Sequence, residues 1–153
     1  MKTKSRPEPS ELRERALRYL ARREHSRWEL ARKLEQAGFV IEEIAPLLDE
    51  FEEKNWLSDR RFAESWVADH QAKAGSMKLA YELRQRGVAE ELIATVLADT
   101  ADNELERARA VWRRKYAGAP ADAAEKMKQM RFLQSRGFTL DVVRQIVDSA
   151  KVI

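Results

Sequence analysis

The chain contains no cysteine, which removes disulfides, thiolate nucleophiles and every zinc site that needs a thiolate. It has only five glycines and four prolines in 153 residues, so few positions break a helix. No apolar run approaches the roughly 20 residues that cross a bilayer. The opening Met1-Lys2-Thr3-Lys4 lacks the apolar core of a secretory leader, and the expected location is the cytoplasm. The two histidines, His25 and His70, lie far apart and outside any His-Glu-x-x-His spacing, so no metal site is expected. Gly75 and Gly118 are isolated, without the companions of a phosphate-binding loop, and Gly75-Ser76 lacks the flanking glycine of a nucleophile elbow. Carboxylates are plentiful, but on solvated helix faces they form no acid–base pair without a pocket that perturbs them. These absences predict neither an enzyme nor a bound cofactor.

What is present favours helices. Ala, Leu, Glu, Arg and Lys dominate, and 29 basic against 26 acidic residues leave a net charge of only +3, so placement says more than the sum. The clearest pattern is internal repetition at a period near fifty residues. With Gly38, Gly87 and Gly137 in register, a leucine stands four residues before each: Leu34, Leu83 and Leu133. Phe39, Val88 and Phe138 follow directly. Further on come Ile44, Ile93 and Val143, then Leu47, Val96 and Ile146, then Leu48, Leu97 and Val147. Each copy reads as two helices joined at a glycine that sits just past a helix end, where a left-handed backbone is needed.

A further helix precedes each pair. It carries Leu12, Ala16, Leu17 and Leu20 in the first copy and Phe62 and Trp66 in the second, with Trp112 and Tyr116 expected at the equivalent places in the third. Ser26 and Glu29 spell a capping box, and Ser10, Ser58 and Thr139 are candidate caps. Pro46 should fall in the first turns of its helix or kink it. Trp66, Trp112 and Tyr116 stand at core spacing, while Trp28 and Trp56 fit packed or interfacial positions near helix ends. The expected fold is all-α: three tandem three-helix repeats, 10–56, 57–101 and 102–153, in an elongated, curved body after a mobile basic tail at 1–9.

Charge segregates by helix. Glu42, Glu43, Asp49, Glu50, Glu52 and Glu53 crowd the third helix of the first copy, and Glu90, Glu91, Asp99, Asp102 and Glu104 the end of the second. Cations favour first and second helices, among them Arg13, Arg23, Arg32 and Lys33, and later Arg109, Arg113, Arg114 and Lys115. Stacked units would repeat a basic and an acidic stripe, suited to a phosphate backbone, with aromatic side chains near it for exposed bases, or to a charged protein filament. The same pattern also fits ordinary solvated faces laced with salt bridges.

Three blocks resemble a known family. They are Tyr19-Leu20-Ala21-Arg22-Arg23-Glu24-His25-Ser26-Arg27-Trp28-Glu29-Leu30 with Lys33-Leu34, then Leu57-Ser58-Asp59-Arg60-Arg61-Phe62-Ala63-Glu64-Ser65, continuing through Gly75, Lys78-Leu79, Glu82-Leu83 and Gly87-Val88. The last is Lys126-Met127-Lys128 with Arg131-Phe132-Leu133 and Arg136-Gly137-Phe138. In order and spacing they are similar to the RecX regulators of the bacterial recombinase RecA. The resemblance implies an all-helical three-repeat fold and binding along the RecA filament on DNA, in its groove or at its ends. It also implies inhibition of ATP hydrolysis, strand exchange and co-protease activity, with direct DNA binding in some members.

Phe62, Leu79, Leu83, Phe132, Leu133 and Phe138 in these blocks read as core by their helical spacing. Asp59 favours the positive end of a helix, and Arg61 is placed to pair with a neighbouring unit. The candidate contacts to RecA or DNA are Lys73, Lys78, Arg84, Arg86, Lys126, Lys128, Arg131 and Arg136, cations on or beside second helices. A monomer is expected. Two other readings remain open: a helix-turn-helix DNA binder, which the acidic third helices disfavour, and a self-assembling scaffold.

Overall fold

The computed structural model describes residues 8–149; the expected basic tail at 1–9 lies almost wholly outside them. Among the described residues the chain is helical, with nine α-helices and a 3-10 turn. The first unit contains α1 (Pro9–Arg22), α2 (Arg27–Gln36) and α3 (Ile41–Glu53). The second contains α4 (Asp59–His70), α5 (Ser76–Gln85) and α6 (Glu90–Ala98). After the turn at Ala101–Asn103 come α7 (Glu104–Lys115), α8 (Ala123–Ser135) and α9 (Leu140–Ser149).

Each unit has its own core. Leu30, Leu34, Phe39, Ile44 and Leu48 fill the first, Leu79, Leu83, Val88, Ile93 and Val96 the second, and Leu133, Phe138, Val143, Ile146 and Val147 the third. The joint between second and third helix is the same each time. Gly38, Gly87 and Gly137 have φ of 104°, 77° and 89°, the left-handed region where a Cβ is costly. That turn directs the N–H of Phe39, Val88 and Phe138 back to the carbonyls of Leu34, Leu83 and Leu133, and the apolar side chain with it. Asn55, at φ 65° after α3, makes an analogous stop with a side chain that tolerates this region. A search for glycines alone passes over it.

Ser26 caps α2 with the full capping box, and Ser58 accepts from the N–H of Arg61. Thr139 makes a longer 3.4 Å contact to the N–H of Val142. Ser10 is not a cap: α1 starts one residue earlier, and Glu8 precedes it. Pro46 falls in the second turn of α3, which continues past it.

Three further expectations are corrected. Leu17 is exposed, because α1 turns Leu12 and Ala16 inward instead. Tyr116 does not match Trp66: the 116–122 connection is longer than 71–75, so Tyr116 lies beyond α7 in extended backbone while Trp66 lies inside α4. Phe132 is half-buried rather than core, as its neighbour Leu133 takes the inward position.

Candidate nucleic-acid and filament interface

The units meet at polar joints rather than through a shared core. At the first, the side chain of Ser26 donates to the carbonyl of Arg86 at 2.7 Å, and Trp28 packs over Gly87, where a Cβ would lie 2.4 Å from its own. At the second, the N–H groups of Gly75 and Met77 donate to the carbonyls of Arg136 and Gly137 at 2.8 and 2.9 Å. The C-terminal end of α8 therefore meets the start of α5, and the end of α5 meets the start of α2. At the second joint free carbonyls at one helix end satisfy free N–H groups at the next, whereas at the first the Ser26 hydroxyl is the donor; at both, helix dipoles run head to tail. At about 1.5 Å per residue the three second helices, meeting end to end, sum to roughly 50 Å of helix.

First helices lock these joints. Asp59, at the start of α4, accepts the N–H of Arg27 in α2 at 2.8 Å. Glu104, at the start of α7, accepts the N–H and hydroxyl of Ser76 in α5 at 3.0 and 2.9 Å. Each carboxylate caps a helix of the preceding unit. Burial pushes the Asp59 carboxyl above its ordinary range, an effect the Arg27 N–H partly offsets. Arg61 reaches Glu24 at 3.0 Å across the first joint, the cross-unit pairing expected of it. Arg107 donates to the carbonyls of Gln71 and Ala74 across the second.

Part of the acidic stripe is bound inside its own unit. Asp49 and Glu52 bind Arg27, Glu50 binds Arg13 and Lys54, and Glu90 binds Arg84. Arg84 is thus already paired, and Lys126 holds Asp148 at 2.9 Å. Arg86 is engaged too: its guanidinium lies 3.9 Å from the centre of the Trp66 ring and donates to the Glu82 carbonyl. Trp66 stacks in turn on His70, with centroids 4.0 Å apart. Lys128 and Arg131 are exposed on α8.

Lys73, Lys78 and Arg136 are brought together. With His70, Asp69 and Glu82 they line a cleft of about 300 Å³ beside the second joint. Lys73 and Arg136 also line a neighbouring cleft of about 320 Å³ with Arg114, Lys115, Val111 and Phe132. Arg114, Lys115 and Phe132 were not among the candidates. The readable signal was the run Arg113-Arg114-Lys115, which has no acidic residue three or four positions away and so cannot pair along its own helix. Exposed apolar side chains also repeat: Trp28, Met77 and Met127, 43, 62 and 50% exposed, each stand ten residues before the unit's glycine. They recur once per unit along the line of second helices. Among the described residues no cluster of His, Asp or Glu is arranged to hold a metal ion, and no helix is long and apolar enough to span a membrane.

Three jointed helical units with unpaired cations and a periodic exposed row define a helical-repeat binding protein. The chain belongs to the RecX family: residues 13–51, 58–97 and 102–147 match its first, second and third three-helix domains. It is 42% identical over 146 residues to "Regulatory protein RecX" of Ralstonia nicotianae, covering 95% of this chain and 92% of that one. It is 45% identical over 142 residues to the protein of the same name from Herbaspirillum seropedicae, covering 93% and 92%. The fold is similar to the crystal structure of RecX from Lactobacillus salivarius, with a TM-score of 0.82 at 20% identity over 95% of this chain and 97% of the other. A second RecX crystal structure gives a TM-score of 0.80 at 21% identity, covering 92% and 73%.

Proposed function

We propose that this protein is a non-enzymatic, cytoplasmic regulator that binds RecA and its filament on DNA as a monomer and inhibits RecA. The observation that carries this reading is the similarity to proteins named RecX regulators along nearly the whole chain, all three domains included. The geometry supports it. A succession of second helices that repeats an exposed apolar side chain at the same register in each unit, Trp28, Met77 and Met127, suits a partner that is itself periodic. A body spanning adjacent subunits biases the filament toward one subunit arrangement by its differential affinity for that arrangement. Inhibition of ATP hydrolysis, strand exchange and co-protease activity follows from holding subunits in an unproductive relation, in the groove or at an end.

In this reading the functional units are residues 10–56, 57–101 and 102–153. Lys73, Lys78 and Arg136, with the more exposed Lys128 and Arg131, contact DNA phosphates or acidic RecA side chains. Arg84, Arg86 and Lys126 contribute after releasing their present partners. The test is co-sedimentation with RecA filaments on single-stranded DNA across a salt series. Association that weakens with salt is expected, since each phosphate contact contributes about −0.7 to the log–log slope on single strands. A folded protein that stays in the supernatant at low salt contradicts the reading.

A further inference from the structure

We propose that the cleft at the joint of the second and third units is a subsite for one nucleoside phosphate, its phosphate held by Lys73, Arg114 and Arg136 and its base against Phe132. The proposal deepens the nucleic-acid side of the function above. Its test omits the recombinase so that the two can fail separately.

The charged side chains lining this cleft are all cationic: Lys73, Arg114, Lys115 and Arg136. Among the described residues none of the four is paired with a carboxylate, whereas Arg13, Arg27, Arg84 and Lys126 all are. Four like charges around one cleft repel one another, and a phosphate relieves that repulsion. Their placement is fixed by the fold. Arg136 precedes the glycine whose carbonyl binds the start of α5, Lys73 lies in the loop just before that start, and Arg114 stands in the last turn of α7.

The aromatic side chain supplies the second half of the chemistry. Phe132 lines the same cleft, half-buried, with Tyr116 edge-on at 5.7 Å. The Lys115 ammonium lies 4.7 Å and the Arg136 guanidinium 5.3 Å from its ring centre. A nucleobase presents a larger face to the ring than an ammonium does. Lys115, exposed on a flexible stem, then turns to the phosphate. The volume of about 320 Å³ admits a single nucleotide. A duplex keeps its bases stacked inside and would have to flip one out to reach Phe132. The adjoining cleft shares Lys73 and Arg136 and adds Lys78 together with the carboxylates of Asp69 and Glu82, so a continuing strand would leave the all-cationic cleft through one of mixed charge. The ligand is therefore an unpaired nucleotide, either free or within a single strand.

The test is fluorescence anisotropy of the full-length protein alone with a labelled short oligothymidylate at low salt, competed by AMP and by a duplex. Saturable binding is expected, weakened about tenfold by Phe132→Leu, as for loss of one stacked base. Arg114→Gln should shallow the salt slope by about 0.7. Arg60→Gln, whose partner is Glu64 on the same helix, should change nothing. AMP competing at concentrations like those of the oligomer assigns the subsite to free nucleotides. Competition by strand alone assigns it to single-stranded nucleic acid. If Phe132→Leu fails to fold by circular dichroism, Lys73→Gln on its exposed loop takes its place. The proposal is overturned by no saturable binding, by binding that these variants leave unchanged, or by a duplex that competes as well as the single strand.

Discussion

At Gly137 the backbone stands at φ 89°, and a Cβ there would lie 2.2 Å from the Cβ of Lys78 and 2.5 Å from its backbone nitrogen. Neither contact is the tip of a flexible side chain, so Gly137→Ala should destabilise by about 2–4 kcal/mol, the left-handed strain of about 1–2 kcal/mol included. Gly118, with nothing within 4 Å, should accept alanine within about 0.5 kcal/mol; denaturant titration of both variants checks the contrast. His25 is a second sensitive position. It is 1% exposed, its Nδ1 lies 3.0 Å from the Arg23 carbonyl, and its Nε2 lies 2.8 Å from the Lys33 ammonium. The ring therefore donates through Nδ1 and accepts through Nε2, and it must be neutral to do so. Burial, with Arg23 and Lys33 nearby, lowers its pKa. The stability this neutral ring contributes is complete above the ordinary histidine value of about 6.5 and is lost as pH falls from there through the lowered folded value. The thermal midpoint of the protein should drop over that window, and that of His25→Gln should drop less; parallel curves would show that His25 is not the group responsible. Sequence reading saw His25 only as a residue that binds no metal. Its burial depends on Arg23 and Lys33 approaching from two elements, which no local pattern encodes.

The helices and their stops were legible because they depend on neighbours in the chain: the leucine, the glycine and the following apolar residue lie within one turn of one another. The joints were not. Asp59 was read as an aid to its own helix, but it caps α2, and Glu104 was counted only as part of an acidic run. Both act across 28 or more residues, at positions set by how units pack. A direct check is Glu104→Ala, which removes the acceptor for the Ser76 N–H and hydroxyl and should cost about 1–3 kcal/mol. Amide exchange should accelerate at Ser76 and Met77, in the first turn of α5. Acceleration confined to the first turn of α7 would mean that Glu104 serves its own helix. The third unit also departs from the repeat at Gln129, which takes the place held by Leu30 and Leu79 and is fully buried. Its side chain accepts the Trp112 indole N–H at 2.8 Å and donates to the Gly118 carbonyl. Gln129→Leu, though it restores the repeat, should destabilise by about 1–3 kcal/mol by leaving that indole without a partner.

At the scale of the molecule, three separate cores joined by hydrogen bonds make stability a sum of units and joints rather than one cooperative block. The three-unit plan could be read from the sequence, whereas the surface could not be read as fully. Lys73, Lys78 and Arg136 were candidates that the fold gathers at one joint, but Arg84 and Lys126 are bound to carboxylates, and Phe132 enters the site only through packing, beside Arg114 and Lys115, whose unpaired run was legible. A chain ending at residue 101 should keep the first two units folded, with the start of α5 frayed, and should inhibit RecA far less than the whole protein. The central claim is that the full chain restrains RecA, and single-stranded-DNA-dependent ATP hydrolysis by RecA, titrated with this protein, tests it most directly. Hydrolysis should fall with added protein: at amounts well below one per RecA if it acts at filament ends, near one per RecA if it coats the groove. Unchanged hydrolysis at every ratio, with the protein folded, would contradict the account.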